Sequence, residues 1–528
     1  MEKVLTAEEM KVCDLEAIEG GRVTGVSLMD KASLGVAKVA SKMLGEVRGK
    51  RIATLCGTGN NGGDGFGASF YLAQMGATLK VYVLGSTSDI TGDPKVFFDK
   101  LRQLSDQHAK IEILEFERES GSLDLNDCDL VIDAILGTGL TGEPRGSAQK
   151  AIELARNAFT PVLSVDIPSG LSANNGSSYA ASVRAAATAT MSNLKRGLLM
   201  NDGKQNAGEI FLIDIGLPDD TPGAKKVDTY MINCDDVRNL LPRRKAETHK
   251  HAVGKVFGLV GSVGLTGAGV MVGQAAMRGG AGAVILGVPS SLNPIFETKL
   301  TEVMTVPLPE TRDGTLSLAV LLDIQKYFDW ADVLVIGPGI SKNQETAQLV
   351  HKVLRSHDGT IIIDADALNA IADQPEMLKD SQGEIILTPH HGEFSRLTKF
   401  SESEISRDRV EMARRFAREN NVTLVLKGSP TVIASKDGRT FINVHGNPGM
   451  ATAGTGDVLT GIIAALVSQK LSPVDAAIAG VYLHSVAGDI ALESKGLYPM
   501  IATDLIEDLP AAFRKIDRGE IVEFEKIA

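Results

Sequence analysis

The sequence predicts two successive α/β domains, each a parallel sheet with helices on both faces. Three observations carry that expectation. Short apolar runs alternate with helical patterns along nearly the whole chain. Most of those runs end in glycine, aspartate, serine or histidine, as strands do at the ligand edge of an open sheet. The alternation breaks once, between about residues 216 and 250, in a stretch rich in proline, glycine and charge, and then restarts. At 528 residues the chain is too long for one hydrophobic core.

Composition narrows the class. Hydrophobic residues make up 43% and charged residues 23%, the balance of an ordinary globular protein. A net charge of -12 argues against a nucleic-acid or acidic-membrane binder, which needs a cationic field. An anionic substrate would have to be held locally, by backbone amides and a few lysines. The four cysteines, Cys13, Cys56, Cys128 and Cys234, form no CxxC pair, which fits a reducing cytoplasm and no disulfide framework. The N-terminus has no apolar core of the kind a signal peptide needs. Val458 to Val467, the most apolar run, is too short to span a bilayer.

In chain order, residues 4 to 47 read as helices, Ala7 to Glu19 and Ser27 to Leu44, whose apolar residues offer a surface for a homo-oligomer. A strand at Arg51 to Cys56 breaks into a glycine loop, Gly57 to Gly67, before a helix to Met75 and a strand at Leu79 to Leu84. That unit opens a Rossmann-like sheet. Asn60, Asn61 and Asp64 stand among its glycines; they suit a sugar, a nicotinamide-type ligand or a cation, and equally an Asx-rich turn with no ligand. Asp129 to Gly146 is a strand pattern with Asp133 at its end and a second glycine loop, and Pro161 to Leu171 is a third, ending in Asp166 and Ser169. Three such endings point to one ligand site, although singly each aspartate could serve only to hold a loop. Ala185 to Ser192 and Glu209 to Ile215 complete the sheet. The first domain is therefore expected over residues 1 to 220, a linker over 221 to 245, and the second domain over 246 to 528. The cluster Arg243, Arg244 and Lys245 reads as a solvated linker.

The second half restarts with a strand, glycine loop and helix from Gly254 to Gly280. Further strands are expected at Ala283 to Val288, Val333 to Ile336, Thr360 to Asp364, Ile385 to Thr388 and Thr423 to Leu426. Their ends read GPGIS, DADALN, TPHHGEF and KGSPT. Lys427, with the amides of Gly428 and Ser429 and the hydroxyl of Thr431, could hold an outer phosphate; His390 could contact a substrate or cap the helix that follows. Next comes NPGMATAGTGDVLTG, Asn447 to Gly461, whose glycines precede an apolar helix. Backbone N–H groups at such a helix start form an anion site, and Asp457 is the group in the run able to take a proton from a substrate hydroxyl. A glycine loop with a merely capping aspartate has the same spelling.

Taken together, the motifs resemble known families. GPGIS, DADALN, LTPHHGEF, KGSPT and NPGMATAGTGDVLTG resemble those of the ADP-dependent NAD(P)H-hydrate dehydratases, within the ribokinase-like superfamily. GTGNNGGDGFG, DAILGTGLTGEPRG and VDIPSGL resemble those of the NAD(P)H-hydrate epimerases, and the fusion in this order is similar to the bifunctional NAD(P)H-hydrate repair enzymes. The resemblance implies a Rossmann-like α/β/α sandwich followed by a ribokinase-like one. It implies that Asn60, Asn61, Gly62, Gly63, Asp64, Gly137, Thr138, Gly139, Leu140, Thr141, Gly142, Glu143 and Asp166 line an epimerase site, with Asp166 as its acid/base group. Asn61, Asp133 and Ser169 are implied potassium contacts. In the other half, Ala268, Gly339, His390 and Asp457 are implied to line the hydrate site. Lys427, Gly428, Ser429, Pro430 and Thr431, with Asn447, Gly449, Met450, Ala451, Thr452, Ala453, Gly454, Thr455 and Gly456, are implied to hold the nucleotide. The implied partners are the hydrates NADHX and NADPHX, ADP or ATP, magnesium and potassium, with no nucleic acid and no membrane. The competing reading is a ribokinase-like kinase of a small vitamin precursor carrying a non-catalytic N-terminal binding domain.

Overall fold

The computed structural model describes residues 1–120, 123–243 and 253–528. Arg244 and Lys245 of the expected linker, and the segment that opens the second domain before Val253, lie outside the described residues. The chain separates into two compact units, one comprising Glu2–Val227 with Glu523–Ala528 and the other Asp228–Val522 with Met1.

The first unit is built on an eight-stranded sheet. In spatial order its strands are Glu525–Ile527, Glu209–Ile213, Ala187–Met191, Val162–Val165, Leu130–Ala134, Arg51–Cys56, Thr78–Val83 and Ile111–Glu115. All neighbours are parallel, with Ile52 opposite Leu79 on one side and Leu130 on the other. Both faces are covered, which is why the strands read as continuous apolar runs. Ile52 and Cys56 pack with the helices Gly25–Leu44, Asn60–Gln74 and Asp93–Ser105, while Ala53 and Leu55 on the opposite face pack with the helix Gly146–Asn157.

The expected glycine loop from Gly57 to Gly67 is mostly helix, since Asn60 already begins the helix Asn60–Gln74. Its glycines permit close packing. A Cβ on Gly62 would lie 1.8 Å from the Gly57 carbonyl oxygen, a backbone atom that cannot move aside. Gly62→Ala is therefore expected to destabilise the first unit by about 1–3 kcal/mol. Its thermal transition should move down by several degrees while the second unit's does not, as differential scanning calorimetry would register.

In the second unit the strands run Met304–Leu308, Ala283–Pro289, Lys255–Leu259, Val333–Ile336, Thr360–Ile363, Ile385–Leu387 and Thr423–Leu426, all parallel. Thr431–Ala434 and Thr440–Asn443 follow as antiparallel strands, and Thr229–Met231 pairs parallel with the latter. One face buries the helices Thr266–Arg278, Thr455–Ser468, Pro473–Lys495 and Ala502–Arg518 in the main core. Every residue from Val458 to Ser468 is buried, so the most apolar run of the chain is a core helix. No helix among the described residues is long and apolar enough to cross a membrane.

The units divide elsewhere than at residues 220 and 246. The stretch read as a linker contains the strand Thr229–Met231 and the helix Cys234–Leu240, which has a capping box between Asn233 and Asp236. Charge and proline hid them, because the strand is only three residues long and the helix is polar on its open side. The last residues also leave the second domain, since Glu525–Ile527 pairs with Glu209–Ile213.

Candidate active sites

In the first unit the ends of neighbouring strands bring three of the motifs together. Asp133 closes the strand Leu130–Ala134 and is fully buried. Its carboxylate accepts from Ser164 Oγ at 2.8 Å, Ser169 N at 2.9 Å and Ser169 Oγ at 2.5 Å. Burial nevertheless pushes its carboxyl up, ahead of the hydrogen bonds that lower it. Ser169 also accepts from the backbone N–H of Leu136 at 2.9 Å, tying the second glycine loop to the third strand end. Asn61 reaches the same loop: a Cβ on Gly137 would meet its Oδ1 at 3.2 Å, and its Nδ2 is buried with no hydrogen-bond partner among the described residues. Thr138 and Leu140 are half-buried, whereas Gly139, Thr141 and Glu143 are exposed.

Asp166 sits just past the strand Val162–Val165 with φ of 66°, the left-handed region that non-glycine residues avoid. Its Oδ1 lies 2.5 Å from the Nζ of Lys195, a buried residue that no motif includes. Asp64, one turn into the helix Asn60–Gln74, has its carboxyl raised well above the usual range by burial first and then by Asp166. Asp14, on the helix Ala7–Glu19, is pushed up to about 6 by burial, with Asp166 adding and Lys195 opposing. Lys195 and Asp14 were not read from the sequence. A lysine shortly after the apolar strand Ala187–Met191 was the available signal for the first; Asp14 sits in a helix of ordinary polarity and gave none.

In the second unit the helix Thr455–Ser468 organises the site. Gly454 precedes it with φ of 97°, a conformation that turns the chain into the helix and leaves its first N–H groups without carbonyl partners. Thr455 Oγ donates to the carbonyls of Met450 and Thr452, at 3.1 and 3.0 Å, and so folds the loop onto the helix start. Buried His484 meets the Thr455 carbonyl at 2.9 Å, and burial pulls its imidazole down to about 4. Asn447 anchors the other end, accepting from Gly449 N at 3.1 Å and donating to Asp489 Oδ1 and the Gly488 carbonyl at 2.9 Å.

Asp457 occupies the first turn of that helix, half-buried, with its carboxyl raised to about 7 by burial and then by Asp364. Lys427 stands beside it, since a Cβ on Gly456 would lie 3.1 Å from the Lys427 Nζ. The ammonium is 3.0 Å from Oδ1 of buried Asp364, whose Oδ2 accepts from Thr460 at 2.7 Å. Burial alone would lower Lys427, but Asp364, Glu393 and Asp457 outweigh it and hold its pKa up. A cation thus sits among carboxylates at the start of a helix, where negative charge is already favoured.

Gly339, with φ of 67°, faces Ala268, whose Cβ is 3.2 Å from where a Gly339 Cβ would be. His390 caps the helix His391–Thr398, its Nδ1 accepting from Gly392 N at 3.0 Å and Glu393 N at 3.4 Å. Its Nε2 lies 3.4 Å from Glu393 Oε1, and burial followed by Lys427 holds the ring's pKa down. In the KGSPT segment, buried Arg409 donates to the Ser429 and Pro430 carbonyls at 3.0 and 3.1 Å, while Thr431 Oγ donates to Gly428 O at 3.0 Å. Gly428 and Ser429 are exposed. Asp364, Glu393, Thr460 and Arg409 belong to this constellation; the first three stand inside the motifs DADALN, TPHHGEF and NPGMATAGTGDVLTG, but the sequence reading gave none of the four a role.

Comparison with known proteins matches both units. Residues 256–511 match the family model described as NAD(P)H-hydrate dehydratase, and residues 25–197 match the YjeF-related protein N-terminus. The bifunctional NAD(P)H-hydrate repair enzyme Nnr of Moorella thermoacetica is 39% identical over 517 residues, covering 97% of each chain. The same-named enzyme of Thermofilum pendens is 36% identical over 519 residues, again covering 97% of each. An ADP/ATP-dependent NAD(P)H-hydrate dehydratase from Bacillus subtilis, solved with ATP and Mg2+, is 31% identical with a TM-score of 0.47, covering 54% of this chain and 98% of that one.

Proposed function

Since the chain belongs to the bifunctional NAD(P)H-hydrate repair enzymes, joining an epimerase to a dehydratase, we infer that Asp457 and Asp166 are the acid/base groups of its two reactions. The observation that carries this reading is the meeting of Asp457 and Lys427 at the start of one buried helix. A hydroxyl on the reduced nicotinamide ring is a poor leaving group, and a kinase-like site removes that obstacle. Asp457 takes the hydroxyl proton and the oxygen attacks the terminal phosphoryl of ADP, releasing AMP. The ring nitrogen's lone pair then expels phosphate, and loss of a proton from the adjacent carbon restores NADH or NADPH.

The helix amides from Ala453 to Gly456, Lys427 and the KGSPT segment hold the diphosphate, and Ala268, Gly339 and His390 flank the hydrate. ATP is the alternative phosphoryl donor. Magnesium neutralises phosphate charge when bound. Among the described residues no group of three or more His, Cys, Asp or Glu side chains could hold a metal, which fits an ion carried largely by the nucleotide's own phosphates.

In the first unit, Asn60 to Asp64 and Gly137 to Glu143 hold the hydrate beside Asp166, which exchanges a proton with the hydroxyl on the epimerising centre. Potassium suits Asn61, Asp133 and Ser169. These are oxygen donors, and Asp133 is a buried carboxylate with no ion-pair partner among the described residues. The ion would balance that charge and fix the two loops. Exchanging potassium for lithium is expected to lower the epimerase rate about tenfold and to lower the first unit's melting temperature. Both effects should vanish in Asp133→Asn, as activity and calorimetry would register.

Catalysis in the cytoplasm, and self-association through the exposed face of Val12, Leu15 and Ile18, complete the proposal. Its test is to incubate the purified chain with ADP and a mixture of R and S hydrates. Full recovery of reduced-nicotinamide absorbance is expected; recovery that stops at the S fraction would remove the epimerase assignment, and no recovery would remove both.

A further inference from the structure

Lys195 follows the strand Ala187–Met191 and is only 1% exposed. Its Nζ lies 2.5 Å from Asp166 Oδ1, 2.7 Å from the Met191 carbonyl and 3.2 Å from Thr190 Oγ. Three acceptors occupy the three N–H bonds of the ammonium, so Lys195 has none left for a ligand and acts through Asp166. Everything that holds the Asp166 carboxylate takes the same oxygen. Thr190 Oγ and the backbone N–H of Met191 both donate to Oδ1 at 3.3 Å, beside Lys195. Among the described residues, none takes Oδ2. Asp166 itself is held in the left-handed backbone region, with φ of 66°.

The rest of the surroundings is acidic. Asp14 comes from the helix Ala7–Glu19 and Asp64 from the helix Asn60–Gln74, and each interacts with both Asp166 and Lys195. Lys195 is the cation acting on both. Without it, three carboxylates share a poorly hydrated space with no other cation shown acting on Asp14 and Asp64 among the described residues.

We propose that Lys195 is the positioning residue of the epimerase, anchoring Asp166 through Oδ1 so that Oδ2 is the oxygen that exchanges the substrate's hydroxyl proton. The inference rests on the assignment of Asp166 made above. The reacting carbon carries both the hydroxyl and the ring nitrogen. Oδ2 takes the hydroxyl proton, the O–H electron pair becomes the second carbon–oxygen bond, and the carbon–nitrogen bond breaks with its pair going to nitrogen. Nitrogen takes a proton from the Asp64 carboxyl. Rotation about the adjacent carbon–carbon bond and reversal of these steps re-form the ring from the other face and return both protons. Nothing is oxidised and no co-reactant is consumed.

The test compares Lys195→Met, Thr190→Val and Asp166→Ala in the full chain, following conversion of R to S hydrate against pH above the non-enzymatic rate. Dehydration of pure S hydrate reports that the second unit is intact. Lys195→Met is expected to lower the epimerase kcat about 10²-fold with KM within about threefold, and to move the ascending limb of the pH profile up by about one unit. The near-isosteric Thr190→Val should move both in the same direction, by about threefold and a few tenths of a unit. Equal loss at every pH in Lys195→Met would reduce the lysine to a packing role and overturn the proposal. A wild-type rate and profile in Lys195→Met beside an inactive Asp166→Ala would overturn it while sparing Asp166; an active Asp166→Ala would instead sink the assignment beneath it. If Lys195→Met does not fold, Thr190→Val decides, and an unmoved limb there contradicts the proposal.

Discussion

Asp457→Asn is expected to lower the dehydratase kcat about 10³-fold while leaving the nucleotide KM within about threefold, as steady-state kinetics on S hydrate would measure. Asp457 shares the helix start with the amides proposed above to hold the diphosphate, so on that proposal it meets the hydroxyl without being needed to bind the nucleotide. Asparagine keeps the shape and the hydrogen-bonding oxygen but cannot take the proton. Because burial and Asp364 raise the Asp457 carboxyl to about 7, wild-type kcat should climb through neutral pH as the base ionises. The stability consequence has the opposite sign. A carboxyl raised on folding binds its proton more tightly in the native state than in the unfolded one, so its contribution to stability is present at low pH. That contribution is lost as pH rises through about 7. Asp457→Asn should therefore melt higher than wild type at pH 8, with the difference disappearing toward pH 4. A residue whose removal stabilises the protein and abolishes its turnover is what a functional carboxylate in a dry site looks like.

The second large effect is expected in the other unit. Asp166→Ala should lower R to S conversion about 10²–10³-fold and leave dehydration of pure S hydrate at the wild-type rate. Given both epimers and ADP, the variant should regenerate reduced cofactor quickly until the S form is spent and then slow to the non-enzymatic epimerisation rate. Progress curves on the mixture would show the break. The alanine also removes a side chain from a left-handed backbone position and leaves Lys195 buried beside Met191 and Thr190 without its anion. Some loss of stability in the first unit accompanies the loss of rate. A curve without a break would remove the role given to Asp166.

Much of this arrangement was legible before any coordinates. Arg51–Cys56, Val333–Ile336 and Thr423–Leu426 are strands over the residues their apolar runs mark, because a strand buried on both faces has no alternation to blur its ends. Ala7–Glu19 is equally plain, having a capping box from Thr6 to Glu9. What could not be read has physical causes. Glu525–Ile527 and Thr229–Met231 are too short and polar to carry a periodic signal and exist through their pairing partners. The glycines from Gly62 to Gly67 spell a loop locally, and the tight packing that makes them helical is a tertiary fact. At the candidate sites, the strand-end aspartates and the glycine loop before the helix Thr455–Ser468 stand out in the sequence. The contacts that tune them are not legible in this way: Lys195 meets Asp166 from 29 positions further along the chain, and Thr460 meets Asp364 from 96 positions further along. Such partners are set by topology and not by spacing.

The account's central claim is that the hydrate's own oxygen becomes phosphorylated before it leaves. It is tested most directly by labelling the hydroxyl of S hydrate with 18O and following the label through one turnover with ADP. Mass spectrometry of the products is expected to find 18O in inorganic phosphate, one labelled oxygen per phosphate, with AMP unlabelled. Label recovered in water with unlabelled phosphate would mean that nucleotide hydrolysis and dehydration proceed separately, and Asp457 would then have no phosphoryl transfer to begin.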